Sequence, residues 1–316
     1  GVASTTGDVV VSTETAGRAV KGQATDTAGN VGTDSVTVKL DKTKPTINGT
    51  VVSGMMGSNA WYVGPVTVHF TCSDALSGVA ICPDDVTVTT NGANQSVTRS
   101  ATDYAGNTSS ATVSGINIDN ENPTITDVNV AGGFYTLGAA PAATCTATDS
   151  FSGVASCKVT VSGGTSNGVG TFSWTATATD KAGNTSTQTG TYKVVYRFDG
   201  FLQPINDTAH QVGTSISVFK AGSTVPAKFQ LKNAAGTVVQ AATAPSWLTP
   251  VKGSAMSAPV DESVYTASAD SGSSYRYDST AAQYIYNWKT GTGGNYWRIG
   301  VKLDDGQTYY VNIGLR

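Results

Sequence analysis

The sequence predicts an all-β chain of tandem Ig-like β-sandwiches closed by a larger C-terminal β-sandwich. Three observations carry this. The heptapeptide A-T-D-x-A-G-N recurs at 24–30, 101–107 and 178–184, with its aspartates at 26, 103 and 180, a constant separation of 77 residues. Such a period is too long for a solenoid and suits a sandwich of about seven short strands. Alternating Val/Thr runs recur, while no long stretch shows the apolar spacing of a helix. Finally, 316 residues give room for two to four domains.

The heptapeptide reads as a turn. The side chains of Asp26, Asp103 and Asp180 can accept backbone N–H bonds two residues on, as an Asx-turn does. Gly29, Gly106 and Gly183 tolerate the positive φ that a tight turn needs. A metal or ligand role for the aspartates is the alternative.

Composition narrows function. Only 13% of residues are charged and the net charge is -3, without a basic patch or an acidic tail, so neither nucleic acid nor an anionic membrane is an expected partner. No run approaches about 18 apolar residues, so no membrane-inserted helix is expected. No signal peptide opens the sequence. An export signal is expected to lie upstream or to have been removed.

The four cysteines form two close pairs, Cys72 with Cys82 and Cys145 with Cys157. Each pair brackets Ser-Gly-Val-Ala, at 77–80 and 152–155. The first cysteine lies five residues before the serine in one repeat and seven in the other, a slip of two that keeps the strand face. Two intradomain disulfides are expected, each clipping a strand to its neighbour across a short turn, and each stabilising by roughly 2–3 kcal/mol. Zinc is the rival, but no His pair accompanies the cysteines. Disulfides place the chain in an oxidising, extracytoplasmic compartment.

Taken in order, residues 1–44 are a partial repeat, with Val36, Val38 and Leu40 on its last strand. Aligning Gly1-Val-Ala with Gly78-Val-Ala leaves residues 1–44 without a counterpart of 45–77. The expectation is either further repeats upstream in the parent chain or strands donated by a neighbouring molecule, giving head-to-tail self-association. The joint Asp41-Lys-Thr-Lys-Pro45 follows. Residues 45–122 form a complete repeat with candidate strands at 65–72, 86–90, 95–102 and 109–118. The joint aspartates Asp41 and Asp119 lie 78 apart, one more than the turn aspartates, so one extra residue falls between Asn107 and Asp119. Inward parity changes at Gly115, which predicts a β-bulge there. Residues 123–198 form the second complete repeat, ending in Tyr192, Val194, Tyr196 and Phe198 on one face. Residues 199–316, entered through a joint at 199–204, are expected to fold alone. Val225, Ala227, Phe229 and Leu231 mark one strand, Tyr284, Tyr286 and Trp288 another. Trp297 to Leu303 and Tyr309 to Leu315 make a hairpin around Asp304-Asp305-Gly306. About eight strands are expected.

These residues carry a resemblance. W-Y-V-G-P-V-T-V-H-F-T-C-S-D-A-L-S-G-V-A at 61–80, N-Q-S-V-T-R-S-A-T-D-Y-A-G-N at 94–107 and I-D-N-E-N-P-T-I at 118–125 resemble the bacterial Ig-like repeats of secreted and surface proteins. V-P-A-K-F at 225–229, Y-I-Y-N-W-K-T at 284–290 and V-K-L-D-D-G-Q-T-Y at 301–309 resemble the PxKF domain that ends many secreted actinobacterial proteins. The last domain differs from many of its relatives in lacking cysteines. The resemblance implies an extracellular, non-catalytic multidomain segment and carries over no catalytic or binding residue.

Catalytic constellations are weak. His69 alternates with Val68 and Phe70 and faces away from the core; His210 lies in a polar stretch; neither accompanies a nucleophile elbow. Asp84-Asp85, Asp261-Glu262 and Asp304-Asp305 are adjacent, and adjacent strand residues point to opposite faces. No enzyme is expected, and no cofactor. Calcium is the alternative at the second joint. Asp119, Asn120 and Glu121, with Asp103 or Asp149, resemble the oxygen-rich linkers of cadherins, whereas Lys42 and Lys44 argue against calcium at the first joint. A sugar-stacking surface is a second alternative. Among Trp247, Tyr275, Tyr277, Trp288, Tyr296 and Tyr310, the last pair, Tyr296 and Tyr310, lies opposite the apolar rows and is the expected surface pair. The sequence thus predicts a spacer, stalk or fibre-like extension of a secreted or surface-attached bacterial protein. A carbohydrate- or receptor-binding role for the last domain is the alternative.

Overall fold

The computed structural model describes residues 1–205, 216–255, 264 and 266–316, which form strands and turns and no helix. His210, Asp261 and Glu262 lie outside the described residues. The chain is all-β. It divides into two compact units: residues 1–124 with 148–156 and 178–186, and residues 125–147, 157–177 and 187–316.

In the first unit, β1 (Val2–Thr5), β2 (Thr15–Asp26) and β3 (Val31–Leu40) make one three-stranded sheet. The complete repeat follows with β4 (Thr46–Ser53), β5 (Val66–Ser73), β6 (Val79–Ile81), β7 (Val86–Val88), β8 (Gly92–Asp103) and β9 (Thr108–Ile118). Two sheets, β4-β5-β7 and β6-β8-β9, face each other. Alternation decides what lies between them. Val66, Val68 and Phe70 of β5 meet Val97, Ala101, Ile116 and Ile118 in one buried cluster. Gly115 has φ 77°, and between the pairs Gln95–Ile116 and Val97–Val113 the strand β9 spends one residue more than β8. That is the bulge read from the parity change.

In the second unit, β10 (Thr124–Val128) pairs with β12 (Cys145–Thr148). The strands β11 (Phe134–Thr136), β13 (Val154–Gly163), β14 (Gly170–Asp180) and β15 (Thr185–Val195) form a sheet ordered β11-β15-β14-β13. The ends of these strands near 148–156 and 178–186 count with the first unit. Trp174, Val128, Val130 and Ala176 fill the core.

The nine strands that follow are β16 (Arg197–Leu202), β17 (Val218–Phe219), β18 (Thr224–Lys232), β19 (Val238–Val239), β20 (Ser246–Ala255), β21 (Arg276–Asp278), β22 (Gln283–Lys289), β23 (Asn295–Lys302) and β24 (Thr308–Leu315). They make sheets β16-β18-β22-β21, with β19 on β18, and β17-β24-β23-β20. Phe229, Leu231, Tyr275, Tyr284, Ile299, Val301 and Ile313 are buried between them. The stretch expected as a joint at 199–204 is largely strand: β16 pairs with β18, and Phe198 stacks on Tyr309 at 4.1 Å between ring centroids.

Candidate functional site

The A-T-D-x-A-G-N turns are built as expected at the glycines, with φ of 88°, 92° and 102° at Gly29, Gly106 and Gly183. The two-residue Asx bond appears at Asp26, whose Oδ1 accepts from the Ala28 N–H at 2.8 Å. What unites all three copies is the closing asparagine. Asn30, Asn107 and Asn184 each donate the backbone N–H to Oδ1 of their aspartate and the side-chain amide to its Oδ2, the latter at 2.8 Å in every copy. Asn30 holds the Asp26 carboxyl below the usual aspartate range.

In the two complete repeats this turn is part of a larger assembly. The carboxylates of Asp41, Asp74 and Asp103 lie together, and so do those of Asp119, Asp149 and Asp180. The two groups match position for position. The Ser77 N–H donates to Asp41 at 2.9 Å and the Ser152 N–H to Asp119 at 3.0 Å. The Gly78 and Gly153 N–H groups donate to Asp74 and Asp149, both at 2.7 Å. The linkers are tied down as well. The Asn107 amide reaches the carbonyls of Asp41 and Thr43 at 3.3 and 3.2 Å, and the Asn184 amide reaches that of Asp119 at 3.0 Å. On the other side, Glu14 accepts from the Lys42 N–H at 2.7 Å, and Asn91, 77 residues later, accepts from the Asn120 N–H at 3.1 Å. Each linker is thus held from before and after by equivalent residues.

The expected calcium set is rearranged. Asp119 is buried beside Asp149 and Asp180, whereas Asn120 is exposed and Glu121 accepts from the Asn91 amide at 3.2 Å. Asp103 belongs to the other group. At the first joint, Lys42 Nζ donates to the Ser12 carbonyl at 2.8 Å. Backbone N–H groups donate to the carboxylates of both groups, and each set of three carboxylates is of a kind that could hold a metal ion. Hydrogen bonds from Ser77 and the Thr43 N–H hold the Asp41 carboxyl below its ordinary value. The sequence carried an unused signal: Asp74 and Asp149 each precede Ser-Gly-Val-Ala by three residues.

Both disulfides are present, Cys72–Cys82 and Cys145–Cys157. Cys72 is on β5 and Cys82 follows β6, strands of opposite sheets; Cys145 on β12 and Cys157 on β13 are likewise in different sheets. The bonds therefore tie sheet to sheet rather than strand to paired neighbour.

His69 is exposed, with Nδ1 2.5 Å from Asp85 Oδ1. Asp304 and Asp305 diverge. The Asp304 carboxylate accepts from the Thr243 N–H, while Asp305, 1% exposed, accepts from the N–H groups of Tyr196 and Gln307 at 2.9 and 2.8 Å. Burial raises the Asp305 carboxyl above the usual range. Of the aromatics, Trp247, Tyr275, Tyr277 and Trp288 pack in or against the core. Tyr296 is half-buried and Tyr310 is 45% exposed, with the Arg298 guanidinium 4.8 Å from its ring centroid. The pair Arg298–Asn312 separates the two tyrosines along β23 and β24, so they share a face without forming one platform.

No protein-family model matches, and no curated protein is similar. Among solved structures, a protocadherin gammaB7 EC3-6 cis-dimer is similar at 12% identity and TM-score 0.27, over 94% of this chain and 83% of that one. The N-terminal eight Ig domains of Down syndrome cell adhesion molecule are similar at 11% identity and TM-score 0.37, over 95% of this chain and 40% of that one. A tetra-tandem repeat in the extending region of a large adhesion protein is similar at 15% identity and TM-score 0.34, over 94% and 81%. These are likenesses of fold alone.

Proposed function

We propose that this chain is a non-catalytic, extracellular structural segment: a spacer, stalk or fibre-like extension of a secreted or surface-attached bacterial protein. The observation that carries this reading is the joint built twice from equivalent residues. Asp41 and Asp119 are held by the loops at 77 and 152, by Asn107 and Asn184, and the linkers by Glu14 and Asn91. A linker hydrogen-bonded from both sides loses bending freedom, which a spacer needs and a flexible tether does not. The sheet-to-sheet disulfides resist unfolding in the oxidising compartment this role implies. The resemblance to bacterial Ig-like repeats and to the PxKF domain, with divisions at 45–122, 123–198 and 199–316, supports the same reading. Small-angle scattering of the whole chain tests it. An elongated profile unchanged from low to high salt is expected, and a compact or broadly flexible one counts against a spacer.

A second reading, a carbohydrate- or receptor-binding face on residues 199–316, is favoured by Tyr310, an exposed ring backed by Arg298. A glycan array separates the two: binding lost in Tyr310→Ala supports a ligand face, and no binding leaves the spacer.

A further inference from the structure

Alternation along β23 and β24 sorts their side chains onto two faces. Trp297, Ile299 and Val301, opposite Ile313, Val311 and Tyr309, pack in or against the core. The other face carries Tyr296, Arg298, Gly300 and Lys302, opposite Gly314, Asn312, Tyr310 and Thr308. Glycine weakens a strand interior and marks places where something approaches the backbone closely. At Gly300 that something is a ring: a Cβ there would stand 2.6 Å from Tyr310 Cδ1 and 2.9 Å from Tyr310 Cε1. The glycine lets Tyr310 lean across β23. The ring stays 45% exposed, with the Arg298 guanidinium 4.8 Å from its centroid.

Arg298 is itself exposed, and among the described residues no carboxylate pairs with it. The strands β20, β23 and β24 carry Lys252, Arg298 and Lys302 and neither aspartate nor glutamate, in a chain whose net charge is -3. Beside Arg298 a trough of about 220 Å³ opens, bordered by Val251, Gly253 and Tyr296. Tyr296 and Tyr310 flank Arg298 along the sheet. Tyr310 lies opposite Gly300, so the two tyrosines are rooted four strand positions apart, roughly 14 Å at the rise of a strand. One sugar ring cannot touch both, whereas a linear chain of sugars can.

Resting on the carbohydrate-binding reading of residues 199–316 given above, we propose that this face binds a linear acidic polysaccharide built of uronic acid residues. Tyr296 and Tyr310 offer apolar ring surface to the C–H groups of two sugars. Arg298 stands between them and donates to the carboxylate of an intervening sugar, for which the planar guanidinium fork is the matching donor. Lys302 extends the positive field along the same strand. A neutral glycan would leave the guanidinium without an anion, so the charge of the face selects the acidic class.

The test is calorimetric titration of the full chain with a galacturonate oligomer and with a neutral glucose oligomer of equal length. Saturable binding of the galacturonate is expected, about tenfold or more tighter than that of the neutral oligomer. Arg298→Gln is expected to abolish this preference, and Arg298→Lys to restore only part of it, because charge returns without the fork. Tyr310→Ala is expected to weaken both ligands. Equal binding of the two oligomers, or a preference that survives Arg298→Gln, overturns the uronate assignment and leaves the carbohydrate-binding reading standing. Polyglutamate bound as tightly as galacturonate also overturns it, because charge alone would then suffice. Absence of binding to either oligomer overturns it too, and the glycan array then decides whether the carbohydrate-binding reading survives.

Discussion

Truncating the closing asparagine of the three turns separates a turn role from a joint role. The Asn107 side-chain amide has two protons. It faces the Asp103 carboxylate at 2.8 Å and the carbonyls of Asp41 and Thr43 at 3.3 and 3.2 Å. Counting one charge-assisted bond and one neutral bond, Asn107→Ala is expected to cost about 2–4 kcal/mol. The backbone N–H bond of residue 107 to Asp103 survives the change. Asn184→Ala loses the same two kinds of bond, to Asp180 and to the Asp119 carbonyl, and is expected to cost the same. Asn30 is the internal control. Its amide bonds to the half-buried Asp26 and to no linker carbonyl, so Asn30→Ala is expected to cost clearly less than the other two. Urea and calorimetric unfolding of the full chain read the order. Amide exchange at Thr43, Ser77 and Ser152 reads the location, since several domains need not unfold in one step. Equal losses at all three positions would mean that the asparagine serves its turn alone, and the joint reasoning fails.

Replacing either cysteine pair by serine is expected to cost about 3 kcal/mol, nearly the same for both because the sequence separations are 10 and 12. Non-reducing peptide mapping that finds free thiols contradicts the pairing. Gly49 lies under Phe70: a Cβ there would stand 2.6 Å from Phe70 Cε1 and 2.6 Å from Val113 Cγ2. Gly49→Ala is therefore expected to destabilise by about 1–3 kcal/mol, and a second change, Val113→Ala, to recover part of it. A wild-type melting curve for the single variant rules that packing out. Two carboxylates of the second unit titrate with opposite sign. Lys232, and then Arg197, hold Asp199 below its ordinary value, so its contribution exists at neutral pH and is lost as pH falls through that depressed value. Burial raises Asp305, so its contribution is full at acid pH and fades as pH rises through the raised value. Asp199→Asn is expected to flatten the loss on acidification by no more than about 1 kcal/mol, the pair being well solvated. An unchanged pH profile removes Asp199 from the account.

The sequence by itself determined the period of 77, the strand faces and the bulge at Gly115. Each of these is a relation between near neighbours or between copies. Alternation states which side chains point inward, a glycine at a parity change states where the backbone tolerates an extra residue, and a repeated motif states the length of the unit. The same logic paired the cysteines but not their sheets, because a side-chain period of two names a face and not the layer in which the strand ends. Only the tertiary structure decided that Asp41, Asp74 and Asp103 meet, or that Asp119 joins Asp149 and Asp180 rather than Asn120 and Glu121. Those carboxylates come from a linker and two separate loops, and their approach depends on how the sandwich ends bring the loops together. Likewise β16 joins the sheet of β18, β22 and β21 where Gly200 and Pro204 suggested a joint. Backbone pairing with β18 and the stacking of Phe198 on Tyr309 outweigh the local preference of those two residues for a break.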